Sequence, residues 1–519
     1  MKRWLGFLFF VLAILSFVLN GRELGRMVEG ALRAASQWQG RAYRGNGAHT
    51  DAYRGIVERF VPPGASVYYC IDSSDGVLQP VERSIQLTLS WSLCPRPVRF
   101  GRAENLADET AVVVSRFRRV AFPGYRCVAR DERVALWLKE GVPPVDRGVR
   151  PREVSPLRGS VGTGVVSSLI LLFGWFVSRK ERRRWYFLGA AVVLVAAGML
   201  ALTRTLVAPT GLGVYGGKAR LIWMCGGVPP GFFTDAARST LQPAYPPGFA
   251  LLTLVAYALS GGCGEWLVQL VAVASAAALA GYLCTVANAH STRCLALAAV
   301  LSPLSLRLSA LDYAEPLVAL LVLVGWNRVR ERGGAAFGWF LLGSAGLVKN
   351  EGVVLFLACW IVLRVVEGRR TASVRGLLVG GVLPLVWQVG CRLAGGTLYD
   401  FAAPWSPDLP HLLEAGAAFL RLAFLNPWGY ATWPLAILLV LMVAFRRVCM
   451  GEVAGLTGLY AALGSALVSC AVFVYILSLS RAPNFSWHLG TAFPRLVWMP
   501  TVLLLAEILR FPNERTFHG

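Results

Sequence analysis

The chain of 519 residues is 55% apolar and has a mean hydropathy of +0.55, which excludes a purely soluble globular protein. Its formal net charge of +22 does not point to nucleic acid, because no recognisable binding module accompanies it. Much of the basic surplus falls in short loops between apolar runs, as the positive-inside rule expects of cytoplasmic loops.

In chain order, Lys2-Arg3 precedes an apolar run through Asn20 that resembles a signal peptide. No small-residue cleavage site lies before Asn20-Gly21-Arg22, so 1–20 is expected to remain as a membrane anchor helix. The polar segment 21–160 follows and is expected to lie outside the cytoplasm as a small α/β domain with a linker. Within it Ser66 to Tyr69 and Ala111 to Val114 read as strands, Val81 to Leu93 and Glu132 to Lys139 as helices. Pro62-Pro63-Gly64 and Pro95-Arg96-Pro97 punctuate turns, and Pro143 through Pro156 forms the linker. Cys70, Cys94 and Cys127 share this segment. In an oxidising compartment two of them could pair, with the connectivity open.

A helical hairpin start at 161–184 and a multi-pass region at 185–510 come next, then a cytoplasmic tail at 511–519. Apolar spans are predicted near 161–178, 185–207, 246–261, 266–288, 293–310, 313–327, 336–349, 352–366, 376–395, 429–445, 453–479 and 496–510. Basic clusters at 179–184, 328–332, Arg369-Arg370 and Arg446-Arg447 orient them with these loops inside. Loop 208–245, Asp312 to Glu315, Lys349 to Glu351, 396–428 and 480–495 then share the outer side. The chain must leave and return to that side between 245 and 311, yet it carries three apolar segments there. One of them must fail to cross, and 246–261 is short for a span, so about 12 crossings are expected.

Four polar constellations fall at the outer boundary. The first runs from Tyr215-Gly216-Gly217-Lys218-Ala219-Arg220 through Asp235 to Tyr245-Pro246-Pro247-Gly248. Its cations and single carboxylate suit a phosphate and a sugar acceptor; a Pro-rich helix start with snorkelling cations is the plainer reading. The second is Asp312-Tyr313-Ala314-Glu315-Pro316. Acids at a membrane boundary are costly and usually functional, although Asp312 equally suits an N-cap. The third, Lys349-Asn350-Glu351-Gly352, interrupts two apolar halves; a function there competes with a tight turn satisfied by interfacial water. The fourth is Trp487-His488-Leu489-Gly490-Thr491 followed by Pro494-Arg495. Arg495 could clamp a phosphate, whereas Trp487 could be an interfacial belt residue. His411 to Leu425 reads as an amphipathic stretch in the interface.

These elements, in this order, resemble the bacterial multi-pass C-fold glycosyltransferases, the superfamily of protein O-mannosyltransferases and lipid A aminoarabinose transferases, over roughly 185–510. The Tyr-Pro-Pro helix start, the Glu-Pro boundary, Lys-Asn-Glu-Gly, and Trp-His followed by Thr and Arg carry the resemblance. Segment 60–140 resembles an extracytoplasmic module found ahead of the transferase core in some members.

The resemblance implies a polytopic α-helical membrane protein of the inner (plasma) membrane, its site facing the extracytoplasmic side. The implied partners are a polyprenyl-phosphate-linked sugar, membrane lipid, and a glycan, lipid or protein acceptor. The family's acid in the first outer loop has no counterpart in Ala208 to Tyr215. Asp235 and Glu315 are therefore the candidate catalytic residues. Lys218, Arg220, Tyr245, Asp312, Lys349, Glu351, His488 and Arg495 are the candidate substrate-binding residues. No Cys/His spacing or clustered Asp-x-Asp assigns a metal ligand; some related transferases use a divalent ion, which leaves that cofactor open. The competing classes are a non-catalytic envelope protein on the same scaffold, and a transporter or flippase of lipid-linked sugars.

Overall fold

The computed structural model describes residues 57, 59–62, 65–70, 98–101, 111–115, 123–130, 134–142, 156–178, 183–202, 210–234, 242–261, 263, 265–287, 289–310, 313–331, 334–368, 372–396, 409–421, 457–479, 485, 489 and 492–510. The anchor at 1–20, the Val81 to Leu93 helix and the span at 429–445 lie outside these residues, as do Cys94, Asp235, Asp312 and His488.

The polar segment contributes β1 (Val67–Cys70), β2 (Val98–Gly101), β3 (Ala111–Ser115), β4 (Tyr125–Arg130) and β5 (Val134–Lys139) to one sheet, ordered β2-β1-β3-β5-β4. β1 runs parallel to both β2 and β3, while β5 is antiparallel to β3 and β4. The strands expected at β1 and β3 are present. The helix expected over Glu132 to Lys139 is instead β5. Its position explains the difference: it pairs on both edges, with Trp137 opposite Val112 and Cys127, and buries Ala135, Leu136 and Leu138. Ladder bonds on two sides outweigh the weak helical preference of a short Leu- and Lys-containing run.

The rest is helical. The helices are α1 (Pro156–Val177), α2 (Arg183–Leu202), α3 (Lys218–Cys225), α4 (Gly248–Ser260), α5 (Glu265–Val286), α6 (His290–Val300) and α7 (Pro303–Ala310). They continue with α8 (Glu315–Arg330), α9 (Ala335–Val348), α10 (Asn350–Val366), α11 (Val374–Leu393), α12 (Leu409–Leu420), α13 (Thr457–Ser478) and α14 (Phe493–Arg510). A π-helical stretch, Thr210–Gly217, leads into α3. Among the described residues, Leu267–Val286, Val374–Leu393 and Thr457–Ser478 are long and apolar enough to cross a membrane. The α11 side chains Leu378, Leu385, Val386 and Leu393 are exposed. Such a face is stable against lipid and unfavourable in water. The chain is an integral membrane protein.

Small residues let the helices approach closely, as membrane bundles require in the absence of a hydrophobic drive between helices. A Cβ on Gly343 of α9 would overlap the Gly380 carbonyl of α11, and one on Gly325 of α8 would come within 2.8 Å of the Gly338 carbonyl of α9. Contacts between Trp339 and Phe356 and between Gly352 and Ala345 make α9 and α10 a hairpin.

Between 245 and 311, α4 has 13 residues, α6 11 and α7 8, and the pair His290–Val300 and Leu304–Ala310 bends by 62°. The bend between α6 and α7 is satisfied internally: Ser305 Oγ lies 2.9 Å from Ser302 Oγ and donates to Ala299 O at 2.9 Å. It also accepts Trp498 Nε1 from α14 at 2.9 Å. A broken helix inside lipid needs such partners for its freed polar groups.

Candidate functional site

The first turns of α8, α10 and α14 meet at one end of the bundle. Pro316 sits in the first turn of α8, where its missing N–H is lost at no cost, and Glu315 opens that turn. Lys349 is extended (φ −155°, ψ 141°) and separates α9 from α10. The single-residue break puts Lys349 and Glu351 on the tip of the hairpin. Arg495 lies in the first turn of α14.

The side chains form one connected network. Lys349 Nζ is 3.0 Å from Glu315 Oε1 and 3.1 Å from Glu351 Oε1. Arg495 Nη1 is 3.3 Å from the same Glu315 Oε1. The Tyr245 hydroxyl donates to Glu351 Oε2 at 3.1 Å. Beneath, the Arg495 guanidinium lies 4.5 Å over the Tyr313 ring, and the Tyr215 and Tyr245 rings meet at 6.1 Å. Burial is graded across the network: the Glu315 side chain is 0% exposed, Lys349 4%, Arg495 10% and Glu351 22%. Glu315 Oε2 has no hydrogen-bond partner among the described residues.

Two cations at helix N-termini are electrostatically unusual, because the positive end of the macrodipole disfavours them. Glu315 offsets this by holding both, and its own position in a first turn is favourable. The outcome is a cradle in which one buried carboxylate presets the positions of Lys349 and Arg495. Glu351 forms its more accessible edge. Such a cradle can receive an anionic group between its cations and a hydroxyl at Glu351.

Of the other sequence-predicted residues, Lys218 reaches the network indirectly. Its Nζ donates to Tyr245 O at 2.7 Å and to Pro243 O at 3.4 Å, and burial pushes its ammonium down to about 7. Arg220 is half-buried on α3. Asp235, Asp312 and His488 lie outside the described residues. Four residues beside the network were not among the predicted ones: Tyr313, Tyr215, and Asn350 with Gln388 of α11, whose Nε2 donates to Asn350 Oδ1 at 3.0 Å. Gln388 had a readable signal, as a lone polar side chain in an apolar run. Among the described residues, no three His, Cys, Asp or Glu side chains gather as a metal site needs.

No protein-family model matches the chain, and no curated protein matches it. Among solved structures, ArnT from Cupriavidus metallidurans bound to undecaprenyl phosphate is similar over 63% of this chain, at 18% identity and a TM-score of 0.41. The match spans 60% of that chain's length.

Proposed function

We propose that this protein is a membrane glycosyltransferase that moves a sugar from a polyprenyl-phosphate donor to a cell-envelope acceptor on the extracytoplasmic face. The observation that carries the proposal is the pair Lys349 and Arg495, preset on one oxygen of buried Glu315 at the end of apolar helices. A lipid-linked phosphate brings its anion to that depth. The basic loops predicted at the other ends of these helices support an outward-facing cradle.

In this reading Lys349 and Arg495 stabilise the charge that develops on the leaving phosphate. The acceptor hydroxyl attacks the sugar's anomeric carbon, the bond to phosphate oxygen breaks, and a carboxylate takes the hydroxyl proton. Attack opposite the departing phosphate inverts the anomeric centre. Asp235 is the proposed base. Glu315 suits the role less well, because its side chain is wholly buried and its Oε1 already holds two cations. Glu351, with the Tyr245 hydroxyl beside it, is placed to bind the sugar or the acceptor.

The second reading, a non-catalytic scaffold, draws on the same network: its two cations are already balanced by two carboxylates. Reconstitution with polyprenyl-phosphate sugars separates the readings. Asp235→Asn should abolish transfer while leaving expression and donor binding intact, and Glu315→Gln should mainly weaken donor binding. Full activity in Asp235→Asn together with loss in Glu315→Gln moves the base to Glu315. If transfer is undetectable in the unaltered protein across donors, the scaffold reading takes over.

A further inference from the structure

Lys218 differs from the two cations of the cradle in what it touches. It is buried, yet among the described residues it makes no ion pair. Its hydrogen bonds go to main-chain carbonyls, those of Tyr245 and Pro243. The carbonyl between these two, Ala244 O, is held by α11: Trp387 Nε1 donates to it at 3.3 Å and Cys391 Sγ lies 4.0 Å away. Three consecutive carbonyls are thus gripped by side chains from two elements. The turn they belong to begins at Gln242, whose φ of +44° is disfavoured for a residue with a Cβ. A strained turn persists only where its surroundings over-determine it. Phe233 adds to the grip, its ring 6.1 Å from that of Trp387.

We propose that Lys218 is a positioning residue: by bridging the Pro243 and Tyr245 carbonyls it sets the turn that delivers the Tyr245 hydroxyl to Glu351, and it does not itself bind the donor phosphate. Two of its three N–H donors are committed to these oxygens, and the side chain is buried. Lys349 and Arg495, by contrast, sit beside the more accessible Glu351 edge. Any consequence for transfer rests on the function proposed above, but the brace is testable without it, because Cys391 lies buried against the braced turn.

The test is peptide-resolved alkylation of Cys391 by N-ethylmaleimide in the full-length, detergent-solubilised protein. The unaltered chain should label slowly. K218M, which keeps the stem to Cε and removes every donor, should label at least about tenfold faster, as local opening controls access. K218Q supplies neutral N–H donors on a side chain one bond shorter, and should restore part of the protection. It should also restore part of any transfer lost in K218M, which a phosphate-binding role, needing charge, would not allow.

Wild-type labelling in K218M overturns the brace. Labelling of K218Q as fast as K218M overturns it as well, as does protection in K218Q with transfer lost as fully as in K218M. Should K218M fail to fold, K218Q decides: protection of Cys391 supports the proposal and exposure ends it. If the unaltered protein transfers no sugar, the alkylation results still decide the brace, and only the proposed function fails.

Discussion

Among the described residues, one ionic cluster lies at each end of the same helices, and the two differ in kind. At the end opposite the cradle, Glu507 Oε1 accepts from Trp326 Nε1 at 2.9 Å, Arg330 Nη1 at 3.2 Å and Arg510 Nη1 at 2.9 Å. Arg330 also donates from Nε to Glu367 Oε1 at 2.9 Å, and Gly458 of α13 packs against its guanidinium. Its cations sit in the last turns of α8 and α14, where the helix dipole favours them. This cluster joins four helices; its cations suit the helix ends they occupy, while Glu507 in the last turn of α14 and Glu367 at the end of α10 are held against the dipole by those cations. In the cradle the cations instead occupy helix starts, and among the described residues the second oxygen of Glu315 has no hydrogen-bond partner. Similar residue types make a clasp at one end and a charge-presenting site at the other. Helix polarity is what separates them.

The comparison can be broken most directly by removing the acid of each cluster. Glu507→Gln leaves Arg330 with Glu367 and loosens Arg510, and should cost about 1.5–3 kcal/mol of stability, the scale of a hydrogen bond to a charged group. A thermal-unfolding midpoint unchanged in detergent would show that the clasp contributes nothing. At the cradle, Lys349→Met should lower transfer by roughly 10²-fold or more, the scale for losing a group that stabilises transition-state charge. Arg330→Met should destabilise the protein while sparing the folded fraction's affinity for polyprenyl phosphate. Equal loss of phosphate affinity in both variants would erase the distinction between the two ends.

A smaller effect is expected from the Tyr245 hydroxyl. Tyr245→Phe removes one hydrogen bond to Glu351, worth about 1 kcal/mol, and should reduce kcat/KM by roughly fivefold without exposing Cys391. The smallest effect concerns pH. With Lys218 down at about 7 against an ordinary 10.5, the folded chain binds fewer protons than the unfolded chain between those values. Stability should therefore rise with pH across that window. Unfolding midpoints taken at about pH 7 and pH 9 should show the rise, and K218M should lose this contribution to it; an unchanged slope in K218M would remove Lys218 as its source.

Local pattern made much of this readable in advance. Apolar runs marked α5, α11 and α13, and an acid beside Pro316, a Lys-Asn-Glu interruption and an Arg at a helix start marked the cradle. These are signals of cost, since a polar group in an apolar run needs a reason to be there, and cost is visible one residue at a time. β5 was misread because an isolated Val-Ala-Leu-Trp-Leu-Lys run carries no information about the two neighbours that claim its edges.

The sequence by itself determined that the chain is membrane-embedded, where its long apolar helices α5, α11 and α13 run, and that Glu315, Lys349, Glu351 and Arg495 are polar groups set at the ends of apolar runs. Hydropathy and charge placement are properties of single segments against a uniform solvent. Only the tertiary structure decided that Glu315 grips both cations, that Lys218 turns to two carbonyls instead of a carboxylate, and that Gln388 answers Asn350. Those choices depend on distances of about 3 Å between residues up to 180 positions apart, which are set by how closely the glycine-lined helices can cross.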